Sequence, residues 1–262
     1  MKRVLSIMNL LGVLLFCGRG AAAATVGIPH ASQPGASLDL SLRHEADNAK
    51  RLAADWLAAR QNPDGSWGST NLNTVLTPIA WFALHGMGDA VDAIACGRAI
   101  VWLDSQPLGP GARFDAGLWR RLLIRHAFAD SPERQKREEA ICDATRELVS
   151  DAPAYSLWLW HEAGHERNLG GSATRYLALA APDYPMDTRN PETLWFFARL
   201  INRYANGVWL RGTDALDWRS DFARALINAQ RKGPVGGHWD GDTDDAKLRA
   251  TAFALLALME ID

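Results

Sequence analysis

The sequence predicts an all-α domain of stacked helical hairpins, and three observations predict it. Apolar residues recur at helical spacing in segment after segment, as in Ala49, Leu52, Ala53, Trp56 and Leu57. No stretch of useful length alternates apolar and polar residues as a half-buried strand would. Finally, one loop and the helix after it are written twice. Gln61-Asn62-Pro63-Asp64-Gly65-Ser66-Trp67-Gly68 precedes the apolar run Thr77 to Leu84. Gln230 with Gly236-Gly237-His238-Trp239-Asp240-Gly241 precedes Ala250 to Leu256. Trp67 and Trp239 are 172 residues apart, as are Leu84 and Leu256. The two glutamines are 169 apart, so the second loop carries three extra residues around Lys232-Gly233-Pro234. Such a returning unit is how stacked hairpins are written.

Taken in order, the chain starts with an export signal. Lys2 and Arg3 give the positive start, Val4 to Phe16 the apolar core and Ala21 to Ala24 a small-residue cleavage site, so residues 1–24 are expected to be removed. That core is too short to span a membrane as a mature helix, and the expected location is periplasmic or secreted. Residues 25–40 read as an exposed leader and residues 41–262 as one domain. Ser41 is placed to cap the first helix, which Asn62-Pro63-Asp64-Gly65 stops. The next runs from about Asn73 to Gly86 and is apolar nearly all round, as a buried helix should be.

Further helices are expected over Val91–Gln106, Asp115–Phe128, Pro132–Ser150, Ala152–Arg167, Ser172–Ala181 and Pro191–Tyr204. An outer stripe through Trp218, Phe222, Ala225, Leu226 and Ala229 leads to the second loop and a last buried helix ending at Met259. This makes about five hairpins. Cys96 and Cys142 remain after signal removal, either as a disulfide or as two buried thiols. The formal net charge of −2 argues against nucleic acid as the main partner.

The motif Gln-x-x-Asp-Gly-Ser-Trp-Gly at Gln61 to Gly68, with the helix behind it, resembles the repeat of terpene cyclases and protein prenyltransferase β chains. That resemblance implies an α/α toroid, here short or open. It also implies that Gln61, Trp67, Gln230 and Trp239 are structural, the glutamines satisfying backbone groups and the tryptophans packing over helix ends. Asp242-Thr243-Asp244-Asp245 is similar to the Asp-x-Asp-Asp motif of class II terpene cyclases. Crowded carboxylates cannot all ionise, so one keeps a proton to give to an alkene. By this resemblance Asp244 is the acid and Asp242 and Asp245 support it. Trp81, Trp119, Trp158, Trp195 and Phe196 would then shelter a carbocation around a small apolar, isoprenoid-type ligand. No cofactor is needed.

Two rivals stand beside that expectation. His161-Glu162-Ala163-Gly164-His165 puts two histidines on one helix face, where they can share a zinc ion with Glu162 as base. Glu192 is a conceivable third ligand. The other rival has no chemistry: a module that binds a lipid or glycan, consistent with 11 tryptophans in the chain.

Overall fold

The computed structural model describes residues 38–88, 90–106, 123, 190–204, 207, 209–211 and 214–262. The expected signal segment 1–24 and most of the leader lie outside these residues. So do Cys142 and the helices expected between 107 and 189, apart from Leu123, which is helical and buried.

Six helices and four short strands are present among the described residues. They are α1 (Leu40–Ala59), α2 (Asn73–His85), α3 (Ala90–Ser105), α4 (Pro191–Tyr204), β1 (Trp209–Arg211), β2 (Asp214–Leu216), α5 (Trp218–Ala229), β3 (Arg231–Gly233), β4 (Gly236–His238) and α6 (Asp244–Ile261). The helix bounds fall close to those the apolar spacing predicts. The strands were not expected. They form two separate antiparallel pairs of three residues each, β1 with β2 and β3 with β4. Runs this short carry no readable alternation, and Trp209↔Leu216 and Arg231↔His238 are simply the outer rungs of tight hairpins.

Local chemistry explains where the helices begin. Asp39, not Ser41, caps α1, its Oδ1 accepting from Leu42 N at 2.9 Å. Asp217 caps α5 and Thr243 caps α6 in the same way. Pro78 sits inside α2 at its sixth residue, so it follows the first turn instead of opening it.

The core is centred on α6. Its Leu248, Thr251 to Leu258 and Ile261 are buried, so it is apolar on nearly every side and needs cover on every side. It packs against α4, α2 and α1, with α3 resting on α2 and α5 on α1. This corrects the expected architecture. The described residues form six helices, one of them buried among the others, and two open hairpin ladders, not the short or open α/α toroid of about five hairpins that was expected. The helical periodicity specifies which face of each helix is buried. It does not specify whether neighbours continue around a ring, and the toroid came from the resemblance alone.

A polar seam holds the last helix to the first. Lys50 of α1, 8% exposed, lies 2.8 Å from Asp47 and 2.9 Å from Asp262, and Arg43 lies 3.3 Å from Asp262. Burial works against the Lys50 charge, but the two carboxylates outweigh it and hold its pKa above the ordinary lysine value. On the far side of α6, Glu260 accepts from Arg199, and its carbonyl accepts from Asn202 Nδ2 at 2.6 Å.

The two loop copies and the clefts beside the last helix

Both copies of the loop are anchored by the same four contacts. Trp67 Nε1 donates to Leu57 O at 2.7 Å, and Trp239 Nε1 to Leu226 O at 2.9 Å. Each thereby satisfies a carbonyl in the last turn of the helix before it. Trp67 N donates to Thr77 Oγ1, and Trp239 N to Thr251 Oγ1. Gln61 Nε2 donates to Ala95 O of α3, and Gln230 Nε2 to Ala49 O of α1. Last, a positive-φ glycine closes each loop against that same neighbour. A Cβ on Gly65 (φ +97°) would meet Arg98 O at 2.6 Å, and one on Gly236 (φ +140°) would meet Leu52 O at 2.5 Å. Only glycine fits such an approach at such a φ.

These anchors refine the alignment. Thr77 and Thr251 are 174 residues apart, whereas the tryptophans are 172 apart, so the second copy is longer after its tryptophan as well as before it. The constant spacing read from Trp67/Trp239 and Leu84/Leu256 breaks at this threonine.

The residues around Asp242 do not converge as a cyclase acid requires. Asp240 to Asp242 line one cleft and Thr243 to Asp245 another. The first cleft, about 440 Å³, is lined by Asn190, Glu192, Asp240, Asp242, Arg249 and Phe253 among others. The second, about 380 Å³, is lined by Trp56, Arg60, Asn62, Ser69, Asp244 and Asp245 among others. Asp244 is exposed, 78% at its side chain, and faces Lys247 at 3.3 Å. Asp245 is a clasp: Oδ1 accepts from Ser69 N at 2.8 Å and Oδ2 from Ser69 Oγ at 2.6 Å, joining the two copies. A proton donor to an alkene needs a dry, crowded pocket, and Asp244 has neither dryness nor crowding. Asp242, Asp244 and Asp245 thus do not form the crowded carboxylate set that the resemblance to class II cyclases implies.

No family model, curated protein or solved structure matches the chain. The kinship with terpene cyclases and prenyltransferases implied by the loop letters is thus unsupported, as is the toroid that came with it. The aromatic residues point the same way. Trp81 is 1% exposed and stacks on His85 with centroids 4.4 Å apart. Trp195 packs on Phe253 at 5.3 Å, and Phe196 on Phe197 at 5.9 Å. Trp81, Trp195 and Phe196 are core, and Trp119 and Trp158 lie outside the described residues.

The two histidines and the base of the zinc alternative are not among the residues the structure describes. Among the described residues no group of three or more His, Cys, Asp or Glu side chains could hold a metal. His161, Glu162 and His165 lie outside them, and Glu192, the conceivable third ligand, is taken. Arg249 Nε and Nη2 each donate to a Glu192 carboxylate oxygen at 2.8 Å, a two-pronged pair at the mouth of the first cleft.

Sequence reasoning missed Arg249, Glu192 as an arginine partner, Arg60 and Trp56. Arg60 lies over the Trp56 ring at 5.0 Å and Arg249 over the Phe253 ring at 5.7 Å. His238 also stacks on Trp56, with ring centroids 5.3 Å apart. The spacings Trp56/Arg60 and Arg249/Phe253 are both four residues, one helical turn, and were available in the letters.

Proposed function

We propose that the protein is a non-catalytic binding module for a neutral, hydroxyl-rich ligand of the saccharide type, held in the cleft between α4 and the start of α6. The observation that carries this reading is the make-up of that cleft: carboxylates, an amide and a guanidinium gathered beside one aromatic ring in about 440 Å³. Hydroxyl groups need donors and acceptors at fixed positions, and side chains already locked in pairs supply them at low entropic cost.

The carboxylates favour binding over turnover. Asp240 accepts from Arg231 at 2.9 Å, and that bond keeps its carboxyl below the usual carboxylate range. Glu192 is gripped by Arg249. A carboxyl held below its ordinary range, as that of Asp240 is, accepts hydrogen bonds well and makes a poor general acid near neutral pH.

Calorimetric titration of the full chain with neutral oligosaccharides tests the reading. Binding is expected, and Asp242→Ala should weaken it about tenfold through loss of a charged acceptor. Titration with a fatty acid that gives heat where the saccharides give none would replace the ligand class. Release of a new reducing end during the titration would replace the non-catalytic part.

A further inference from the structure

The first cleft is lined by three carboxylates, those of Glu192, Asp240 and Asp242, and by one guanidinium, that of Arg249. Two of the carboxylates already have a cation. Arg249 holds Glu192 through two bonds of 2.8 Å. Arg231 reaches Asp240 from the β3–β4 hairpin at 2.9 Å, and His238 and Lys247 add their influence on its charge. Asp242 is different. It is exposed, and among the described residues no hydrogen bond or ion pair engages its side chain.

The backbone explains why it stays in the cleft wall. Gly241 lies directly against the first turn of α6, where a Cβ would meet Ala246 C at 2.6 Å and Lys247 N at 2.7 Å. On the other side Thr243 caps the same helix. Asp242 is thus pinned between two fixed neighbours, and the lysine in that turn, Lys247, faces Asp244 at 3.3 Å instead.

This arrangement has a sign. A carboxylate on an incoming ligand would meet the unpaired charge of Asp242. To gain a cation of its own it would have to displace Glu192 from a two-pronged pair or Asp240 from Arg231. A hydroxyl group faces neither difficulty, and it can donate to Asp242 directly. Resting on the saccharide reading above, we infer that Asp242 sets the ligand charge at this cleft, admitting neutral sugars and turning uronic acids away.

The test is titration of the full chain with neutral trisaccharides of glucose, mannose and galactose, each beside the trisaccharide of the corresponding uronic acid. Two like charges about 5 Å apart in water repel enough to change affinity about fourfold. At about 0.01 M salt, where screening is weak, a neutral sugar that binds should therefore do so at least about fourfold more tightly than its acid. Salt of about 1 M should close most of that gap. Asp242→Asn keeps the shape and removes the charge. It should weaken the neutral sugar, which loses a charged acceptor, yet narrow the gap to less than about twofold. Asp55→Asn removes one charge at an exposed position that lines neither cleft, where Asp55 pairs with Arg51. It should leave the gap as it was.

An acid that binds the unaltered chain as tightly as its neutral partner overturns the inference and leaves the saccharide reading in place. So does a gap that survives Asp242→Asn, or one that Asp55→Asn narrows equally, since the selection would then belong to the charge of the whole molecule. No binding by any neutral sugar removes both readings.

Discussion

The two loop copies are alike where they touch the scaffold and unlike everywhere else. Each uses a tryptophan to cap the helix before it, a threonine to receive that tryptophan's backbone, and a glutamine and a glycine to lock onto the neighbouring helix. Between these points the first copy is tight: Asp64 Oδ1 accepts from Ser66 N and Ser66 Oγ, a compact turn made by one side chain. The second copy spends its extra residues on the β3–β4 hairpin before Trp239 and on the Asp240 to Thr243 segment after it. Equal anchors thus fix the fold, and the surplus length of one copy contributes residues to the walls of both clefts.

The strongest way to break this equivalence is to remove the tryptophans. Trp67 and Trp239 are 0% and 3% exposed, and replacing either by alanine should cost about 3–5 kcal/mol, measured by urea unfolding. A loss below about 1 kcal/mol at Trp239 alone would mean that the second loop is ornamental. Next come the glycines. Gly65→Ala and Gly236→Ala should each cost about 2 kcal/mol or more, since strain and a backbone clash act together. If only Gly65→Ala destabilises, the second loop does not press on α1 as described.

A smaller effect tests the clasp between the copies. Asp245→Ala should cost about 1–2 kcal/mol, and a double-mutant cycle with Ser69→Ala should show coupling. Asp244→Ala, one position away and exposed, should change stability by less than about 0.5 kcal/mol. Reversal of that order would restore Asp244 as the important carboxylate. The finest contrast is in acid. The Ser66 backbone N–H, foremost, holds the Asp64 carboxyl below its ordinary value of 3.8 despite some desolvation, and Arg231 does the same for Asp240. A depressed folded pKa means stability present above the ordinary value and lost as pH falls through the folded one. Asp64→Asn and Asp240→Asn should each flatten part of the acid dependence of the unfolding midpoint. Added salt should erase the contribution of Asp240, an exposed ion pair, and spare that of Asp64.

Much of this was legible in the letters. The bounds of α1, α2 and α4 follow from apolar spacing and from punctuation such as Pro63-Asp64-Gly65, and the repeat itself was visible as Gln, Gly and Trp in order. What was not legible is how the copies face one another. Gln61 and Gln230 look equivalent in sequence, yet one reaches a helix 34 residues ahead and the other a helix 181 residues behind. Nothing local encodes that difference. The Asp242 cluster misled for a similar reason: neighbours in sequence at a helix start fan outward, so Asp242 and Asp245 reach different clefts. No helix among the described residues is long and apolar enough to cross a membrane, while the expected periplasmic or secreted location rests on the first residues of the chain alone.

The clasp between Ser69 and Asp245 has a consequence in time. Its partners are 176 residues apart, and Gln230 reaches back just as far to α1. During synthesis the first loop emerges long before α6 exists, so the faces of α1 and α2 that pack on α6 stay uncovered until then. Contacts this distant along the chain form slowly, and exposed apolar faces invite association with whatever else is near. The final eighteen residues of helix therefore act as the moment of commitment: until they arrive, the first half of the molecule has a shape in prospect and no core to hold it.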